Sequence, residues 1–212
     1  NSYFKPFPNV LVNYKKDDNN NLSFTYNKRI NRPTFWNLNP FKSLLTAHSY
    51  YEGNPFLQPA YNNNFQVQHS FKNKLTSALF FNITNNGFAD ITIPHPDTNF
   101  VMRTPKNCVN NTRIGITETY NFNTIRWWES NNMLSIYYTD GRSKLSNVSS
   151  LKGWGAYFSS ANNIYLNSTK TLSTAVNFWY QFPDVSLAHR SDAYWNLDLG
   201  VNASLLKDKL SL

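Results

Sequence analysis

The sequence predicts an all-β fold, an antiparallel up-and-down transmembrane β-barrel, and three observations support this prediction. Segments of about nine to twelve residues alternate apolar and polar side chains, as strands with two unlike faces do. Short and long connections follow each other in turn along the chain. The polar residues are mostly neutral, since charged residues make up only 15% of the chain and aromatic residues 17%. Transmembrane barrels combine strands of this length with short turns at one end and long loops at the other.

The alternating segments are the predicted strands. In each, Val, Leu, Ile, Phe or Tyr tends to recur at every second position, with Asn, Ser, Thr or Gln between. In chain order they are residues 10–14, 22–30, 64–71, 75–84, 112–122, 133–139, 155–166, 171–182 and 194–206.

The connections between these segments fall into two classes. The short ones are rich in Asn, Asp and Lys, which favour turns. They are residues 15–21, 72–74, 123–128, 167–170 and 207–209. The long ones carry most of the prolines, and we expect them at the opposite end of the barrel. They are residues 31–61, 86–111, 140–153 and 183–192, the second with short strands at 88–93 and 99–103.

A lipid environment explains why the predicted sheet closes into a barrel and why its polar residues are mostly neutral. Every backbone N–H and C=O must be paired in lipid, so a spanning sheet has no open edge. The apolar face would meet acyl chains, and the neutral polar face would meet a wet or plugged lumen. Aromatic residues near strand ends fit the girdles at the two membrane interfaces. These residues are Trp127, Trp128, Trp154, Trp179, Tyr194 and Trp195. A soluble β-sandwich or jelly roll, which also alternates, is the alternative.

Several function classes find no support. The net charge is +8, but Lys and Arg are scattered, so we predict no nucleic-acid partner. The sequence contains no apolar run of about 18 residues, so we predict no membrane helix. His48, His95 and His189 fall in three long loops and could meet, yet exposed loop histidines without a metal are commoner. No nucleophile–base or paired-carboxylate motif appears. We therefore predict no enzyme, no cofactor and no metal.

The stretch from residue 26 to 61 is the longest irregular segment and holds four prolines and a cluster of aromatic residues. Loops of this length are usually functional. Aromatic faces and Arg side chains suit sugars and anionic chelates, so these side chains are candidate substrate contacts. Alternatively, they fold the loop onto the barrel rim. The candidates are Arg32, Trp36, Tyr50 and Tyr51.

The stretch contains three motifs, YNKRINRP at 26–33, WNLNPF at 36–41 and EGNPFLQP at 52–59. These motifs resemble those of a known family, the outer-membrane β-barrel domain of Bacteroidetes-type TonB-dependent receptors. Ala60 stands where the family often has Glu, and Asn27 and Lys28 replace the commoner Ser-Arg. The resemblance is densest over residues 3–85. The pair Trp127–Trp128 and residues 206–212 also resemble later turns of the family.

The resemblance implies a barrel of about 22 strands, closed by an N-terminal plug and energised by the TonB complex. Such a receptor imports iron chelates, cobalamin-like cofactors, glycans or peptides across the bacterial outer membrane. Residues 1–212 would form one barrel domain of about nine or ten strands, without the plug or the TonB-contacting segment. The alternatives are a secreted β-sandwich that binds glycans, and a structural or adhesive outer-membrane barrel.

Overall fold

A computed structural model describes residues 6–94, 99–146, 148–186, 189–205 and 210–211. These ranges contain one short helix and fourteen strands. The elements are β1 (Asn9–Lys15), β2 (Asn20–Asn31), α1 (Phe35–Leu38), β3 (Ser43–Thr46), β4 (Ser49–Tyr51), β5 (Ala60–Phe71), β6 (Leu75–Pro94), β7 (Val101–Ile125), β8 (Trp128–Ser143), β9 (Leu151–Tyr165), β10 (Leu172–Gln181), β11 (Asp184–Ser186), β12 (His189–Ser191), β13 (Tyr194–Leu205) and β14 (Leu210–Ser211).

Ten of the strands form one antiparallel meander in the order β1-β2-β5-β6-β7-β8-β9-β10-β13-β14. Each strand pairs with the next long strand along the chain, which is the up-and-down topology that the sequence predicts. The short strands β3 and β4 attach at the side, where β4 runs parallel to β7. Strands β1 and β14 end the sheet, and within the described ranges no pairing joins them. The structure is therefore an open part of a barrel wall.

The short turns lie where the sequence places them, and together they define the turn end of the sheet. Asp17 closes the first by accepting hydrogen bonds from the backbone N–H groups of Asn19 and Asn20, both at 2.8 Å. Lys72 and Asn73 adopt left-handed backbone conformations in the second, with φ of 51° and 52°. The predicted turn at 207–209 lies outside the described residues. The opposite end of the sheet is the loop end.

The predicted connection at 86–111 is wrong, because most of it is strand. β6 has 20 residues and β7 has 25, whereas 9–11 suffice to span a membrane. The ends of β6 and β7 beyond a register shift between residues 84 and 88 are called the arms below. The two arms stay paired as far as Pro94 and Val101. Asn and Pro mark loops in sequence, but this hairpin extends past the apolar rows and so needs no alternation. Pro105 lies where β7 has no β8 beside it, and such an edge tolerates a residue without an N–H.

The predicted connection at 140–153 is likewise shorter in the structure. Strand β8 continues to Ser143 and β9 begins at Leu151. Leu145 and Val148 from the remaining loop pack against a small buried cluster on the β6–β7 arms. That cluster is Ile91, Cys108 and Val109.

The soluble β-sandwich alternative is wrong for the described residues. A sandwich buries the apolar faces of two sheets against each other. Here the long strands form a single sheet, and the large apolar side chains along its strands stay exposed. The only second sheet in the described ranges is the two-stranded β11–β12 hairpin. The fold is a partial transmembrane β-barrel, as the sequence predicts.

Candidate functional site

One face of the sheet, here called the apolar face, carries exposed hydrophobic side chains in register. Leu79 keeps 60% of its side-chain surface open, and its neighbours in the row are also exposed. A contiguous apolar patch of this breadth is rare on soluble monomers and marks a contact surface. Six strands contribute one side chain each to the row. They are Val12, Phe24, Val67, Leu79, Ile116 and Ile136.

The next row toward the loop end is aromatic. Tyr26 stacks on Phe65 with ring centroids 4.7 Å apart, and Tyr138 meets Trp154 edge-on at 5.4 Å. Trp154 is 70% exposed, and Trp residues are enriched at membrane–water interfaces. The row runs through Tyr26, Phe65, Phe81, Ile114, Tyr138 and Trp154.

The apolar face carries an aromatic zone at the turn end as well as at the loop end. The distance between these two zones matches the thickness of the apolar part of a membrane. Trp128 at the turn end and Tyr138 at the loop end lie ten residues apart on the apolar face of β8. At about 3.3 Å per residue this is about 33 Å along the strand. A strand tilt of about 40° gives a height of about 25 Å, which is the height of the apolar band of outer-membrane barrels.

The predicted interface aromatics divide between the two faces. Trp127 is exposed at the turn end and stacks on Trp128 at 6.3 Å, while Trp128 donates to the side chain of Asn162. Trp195 lies on the apolar face beside Phe178, with ring centroids 6.3 Å apart. Trp179 lies on the other face.

Trp179 is one residue from Phe178, and successive side chains of a strand point to opposite faces. It stacks on Tyr157 at 6.3 Å and meets Tyr194 edge-on at 5.5 Å, both on that opposite face. The alternation of side chains along each strand therefore places Trp179 and Trp195 on opposite faces of the sheet. Tyr138 and Tyr26 were not among the predicted interface residues, although the same alternation places them on the apolar face.

The opposite face, here called the polar face, is covered by neutral side chains that bond across strands. Asn64 donates to Asn27 at 2.8 Å and Thr84 donates to Asn62 at 2.8 Å. Near the turn end, asparagines from four strands line a cavity of about 610 Å³. They include Asn121, Asn131, Asn163 and Asn177. In a closed barrel this face would line the lumen.

A cluster around Arg113 holds a loop segment on the polar face near the loop end. The Arg113 guanidinium donates to the Thr139 hydroxyl at 2.9 Å and to the backbone oxygen of Val185 at 3.0 Å. It also forms an ion pair with Asp184 at 3.3 Å and stacks over the Tyr137 ring at 4.3 Å. Both charged side chains are largely buried. The sequence alone did not reveal this cluster, because its members come from three separate strands, β7, β8 and β11.

Glycines allow this close approach. A Cβ atom at Gly155 would lie 2.6 Å from the Tyr137 ring and 2.7 Å from an Asp184 carboxylate oxygen. A Cβ atom at Gly153 would press on Val185 at 3.1 Å. The segment Asp184–Ser186, called the strap below, therefore lies directly against β9.

The long loop between β2 and β5 is folded and fixed. Thr34 caps α1 in a reciprocal capping box with Asn37. The Asn107 side chain bonds both backbone groups of Gln58, each at 2.7 Å. Strand β4 adds a parallel pairing to the β7 arm.

The four candidate substrate contacts differ in accessibility. Arg32 is exposed, and Trp36 is 64% exposed in α1. Tyr51 is half-buried and its hydroxyl accepts from the Asn37 amide at 3.4 Å. Tyr50 is only 8% exposed and lies beneath the Lys42 ammonium at 4.9 Å, so its ring holds the loop together. The loop thus presents Arg32 and Trp36 outward.

The loop histidines do not form one centre. His48 packs edge-on against Phe100 at 6.1 Å, His189 is exposed in β12, and His95 lies outside the described residues. Across the described part of the chain, no three His, Cys, Asp or Glu side chains are grouped as metal ligands would be. Nor does any helix in the described ranges have the length and hydropathy to cross a bilayer.

Comparison with solved structures finds outer-membrane receptors. The siderophore receptor PirA from Pseudomonas aeruginosa aligns over 95% of this chain and 36% of its own, with a TM-score of 0.68 and 11% identity. The ferric enterobactin receptor PfeA from the same organism aligns over 95% and 33%, with a TM-score of 0.60 and 14% identity. The pyoverdine receptor FpvA from Pseudomonas aeruginosa PAO1 aligns over 97% and 30%, with a TM-score of 0.58 and 14% identity.

At these identities the likeness shows a shared fold, and the chain spans about a third of each receptor. A search of curated proteins gave no match. A model of one family, described as the outer membrane protein beta-barrel family, matches residues 1–212. That match covers the whole chain and agrees with the apolar face, the two aromatic zones and the meander. The chain belongs to the outer membrane protein beta-barrel family, and its location is the bacterial outer membrane.

Proposed function

We propose that this chain is part of the barrel of a TonB-dependent outer-membrane receptor that imports a scarce or bulky nutrient. The observation that carries the proposal is the alignment of 95–97% of the chain with the barrels of three siderophore receptors. We favour an iron chelate as substrate, and a cofactor, a glycan or a peptide are the other classes. The resemblance in residues 26–61 extends the proposal to a Bacteroidetes-type receptor.

The two faces support transport rather than chemistry. The apolar face suits lipid, whereas the polar face offers neutral amides and hydroxyls along a water-filled path. Imported solutes that carry many hydroxyl or carbonyl groups can exchange weak hydrogen bonds along such a surface. We propose no catalytic step. The energy for import would come from the TonB complex, through a segment of the full-length receptor outside these residues.

Arg32 and Trp36 are the proposed outer substrate contacts. Both side chains are exposed on a loop that is held in place by the capping box of α1 and by hydrogen bonds to the β7 arm. A fixed loop lowers the entropy cost of binding. Arg can pair with anionic chelates, and the Trp face can stack on sugars or aromatic chelators. Tyr51 supports α1 through Asn37, and Tyr50 supports the loop from within.

Uptake in the source bacterium tests the proposal. A strain lacking the gene for the full-length protein should grow poorly when a ferric chelate is the limiting nutrient, and a strain lacking TonB should match it. Radiolabelled chelates, glycans and peptides, supplied in turn, identify the substrate class. Uptake that does not depend on TonB would instead support a structural or adhesive barrel.

Substrate binding to the purified full-length receptor tests the loop contacts. Trp36→Ala should weaken binding by about fivefold or more, since aromatic contacts at binding hot spots exceed about 1 kcal/mol. Phe41→Ala is the matched control, because Phe41 is an exposed aromatic residue of the same loop. Equal losses in both variants would show that the loop acts only as a scaffold.

A further inference from the structure

A depression lies on the apolar face at its aromatic zone. Ala156 occupies the centre, between Ile136 on β8 and Phe182 beyond the end of β10. Trp154 stands above it toward the loop end, and Pro183 turns the chain away at one side. The resulting groove has a volume of about 310 Å³.

The groove is apolar because of strand parity. Ile136 and Ala156 project to the side that carries the exposed hydrophobic rows. Phe182 lines the same groove, and its ring meets that of Tyr180 at 4.6 Å. On this face of β9, Ala156 is the small residue between the large rings of Trp154 and Phe158. A membrane-facing groove of this kind is filled by lipid acyl chains, because lipid is the solvent that surrounds this face.

Two basic side chains lie beyond the groove, toward the loop end of the sheet. Lys152 precedes Trp154 by two residues on the same face of β9, which places it about 7 Å further along the strand. Asp140, its cross-strand partner on β8, forms ion pairs with Lys152 at 3.2 Å and with Arg142 at 3.0 Å. One carboxylate therefore holds two cations together at the height of the lipid headgroups.

The trio keeps a net charge of +1 and spare donor capacity. Lys152 carries three N–H bonds and Arg142 five, and a single carboxylate cannot engage them all. Both basic side chains are exposed, while Asp140 is mostly covered. The open side of the cluster thus presents cationic N–H groups, which suit phosphate oxygens.

We propose that this site binds an anionic, phosphate-bearing lipid of the outer membrane, with an acyl chain in the groove at Ala156 and the phosphate on Lys152 and Arg142. The order along the strands supports one occupant. Apolar groove, aromatic rings and basic cluster follow each other over two neighbouring strands, in the same order as the acyl, interfacial and phosphate parts of a lipid. The site lies outside the barrel and is separate from the proposed transport path.

Native mass spectrometry of the purified full-length receptor tests the site. The probes are phosphatidylglycerol, which is anionic, and phosphatidylcholine, which is zwitterionic; both carry a phosphate and the same acyl chains. The wild type should retain phosphatidylglycerol more than phosphatidylcholine. Arg142→Gln with Lys152→Gln should lower phosphatidylglycerol affinity by about 30-fold, because each basic residue near an anionic surface contributes about fivefold. Lys152→Gln alone should lower it by about fivefold and keeps the Arg142–Asp140 pair.

Two further variants separate the parts of the site. Arg103→Gln with Lys170→Gln removes two ion-paired cations elsewhere and should bind like the wild type. Ala156→Phe fills the groove and should lower the affinity for both lipids while leaving the cations in place.

Three results would overturn the proposal. One is equal retention of the two lipids by the wild type. Another is unchanged phosphatidylglycerol binding in both Lys152 variants. A third is displacement of the lipid by millimolar inorganic phosphate with no effect of Ala156→Phe, which would show a free-anion site instead. Unfolding curves in detergent establish that each variant keeps the barrel fold before its binding is compared.

Discussion

At the scale of residues, Arg113 shows how one side chain connects distant parts of the barrel wall. From β7, its guanidinium donates to Thr139 on β8 and to Asp184 and the backbone oxygen of Val185 on β11. Arg can do this because its five N–H groups form a rigid planar fork, and Lys offers only a single ammonium. The strap is held on the polar face by this fork and by the two glycines beneath it.

Arg113→Ala should release the strap. The change leaves the Asp184 carboxylate, which is only 15% exposed, without its cation, at a cost of about 1–3 kcal/mol. Limited proteolysis of the full-length protein should then cut the segment 182–193 faster than in the wild type. Arg113→Lys should give an intermediate rate. Equal proteolysis in all three proteins would show that Gly153 and Gly155 alone position the strap.

Asp17 predicts a pH-dependent turn. The hydrogen bond from the Asn20 side chain, with those from the Asn19 and Asn20 backbone, holds the pKa of Asp17 below its ordinary value. The bonds favour the carboxylate, so their stabilisation is complete above the ordinary Asp pKa and is lost as pH falls through the lowered pKa. Amide exchange at Asn19 and Asn20 should therefore rise at acid pH. Asp17→Asn should show no such pH dependence beyond intrinsic exchange.

At the scale of elements, the face of each strand decides what a substitution costs. Val67 and Gln66 are neighbours on β5 and are both exposed, yet Val67 lies in the apolar row and Gln66 on the polar face. Exposure alone does not distinguish them. The cross-strand register does, because it joins Val67 to Phe24 and Leu79.

Val67→Arg should be less stable than Gln66→Arg. A charge on the lipid face costs about 2–4 kcal/mol at the membrane midplane and about 0–1 kcal/mol near the interfaces, so at Val67, one row inside the aromatic zone, the cost should lie between these values, whereas the same charge on the lumen face is solvated. Unfolding of the full-length protein by guanidinium in lipid vesicles measures the difference. Equal costs for the two variants would contradict the assignment of the faces.

At the scale of the whole molecule, the described residues form one large sheet rather than a globular domain. The buried residues in the described ranges form small groups, such as Ile91, Cys108 and Val109 on the β6–β7 arms, rather than one central core. Most of the large apolar side chains of the long strands remain exposed on one face. Burial of that face must come from lipid, so the membrane completes the structure.

The full-length protein should accordingly behave as an integral membrane protein. It should remain in the membrane pellet after washing with high salt and with alkaline carbonate, because its attachment is apolar. Extraction should require detergent. Recovery in the salt or carbonate supernatant would contradict the membrane-facing assignment of the apolar rows.

The sequence by itself determined the fold class, most of the long strands and the turn end. Period-two alternation is a local property, and Asx-rich turns act within a few residues, so β2, β5, β10 and β13 and their turns were predictable within a few positions. The sequence did not reveal the long arms of β6 and β7, since their pairing beyond the membrane leaves no alternation and includes Pro105.

Only the tertiary structure decided which residues meet. Register between strands brings Lys152, Asp140 and Arg142 above the groove at Ala156, and it joins Arg113 to Asp184 across 71 positions of chain. It also separates Tyr50, buried within its loop, from the exposed Trp36, although both stood out equally as loop aromatics. The physical reason is that cross-strand contacts depend on pairing between distant segments, whereas alternation and turns depend on neighbours in the chain.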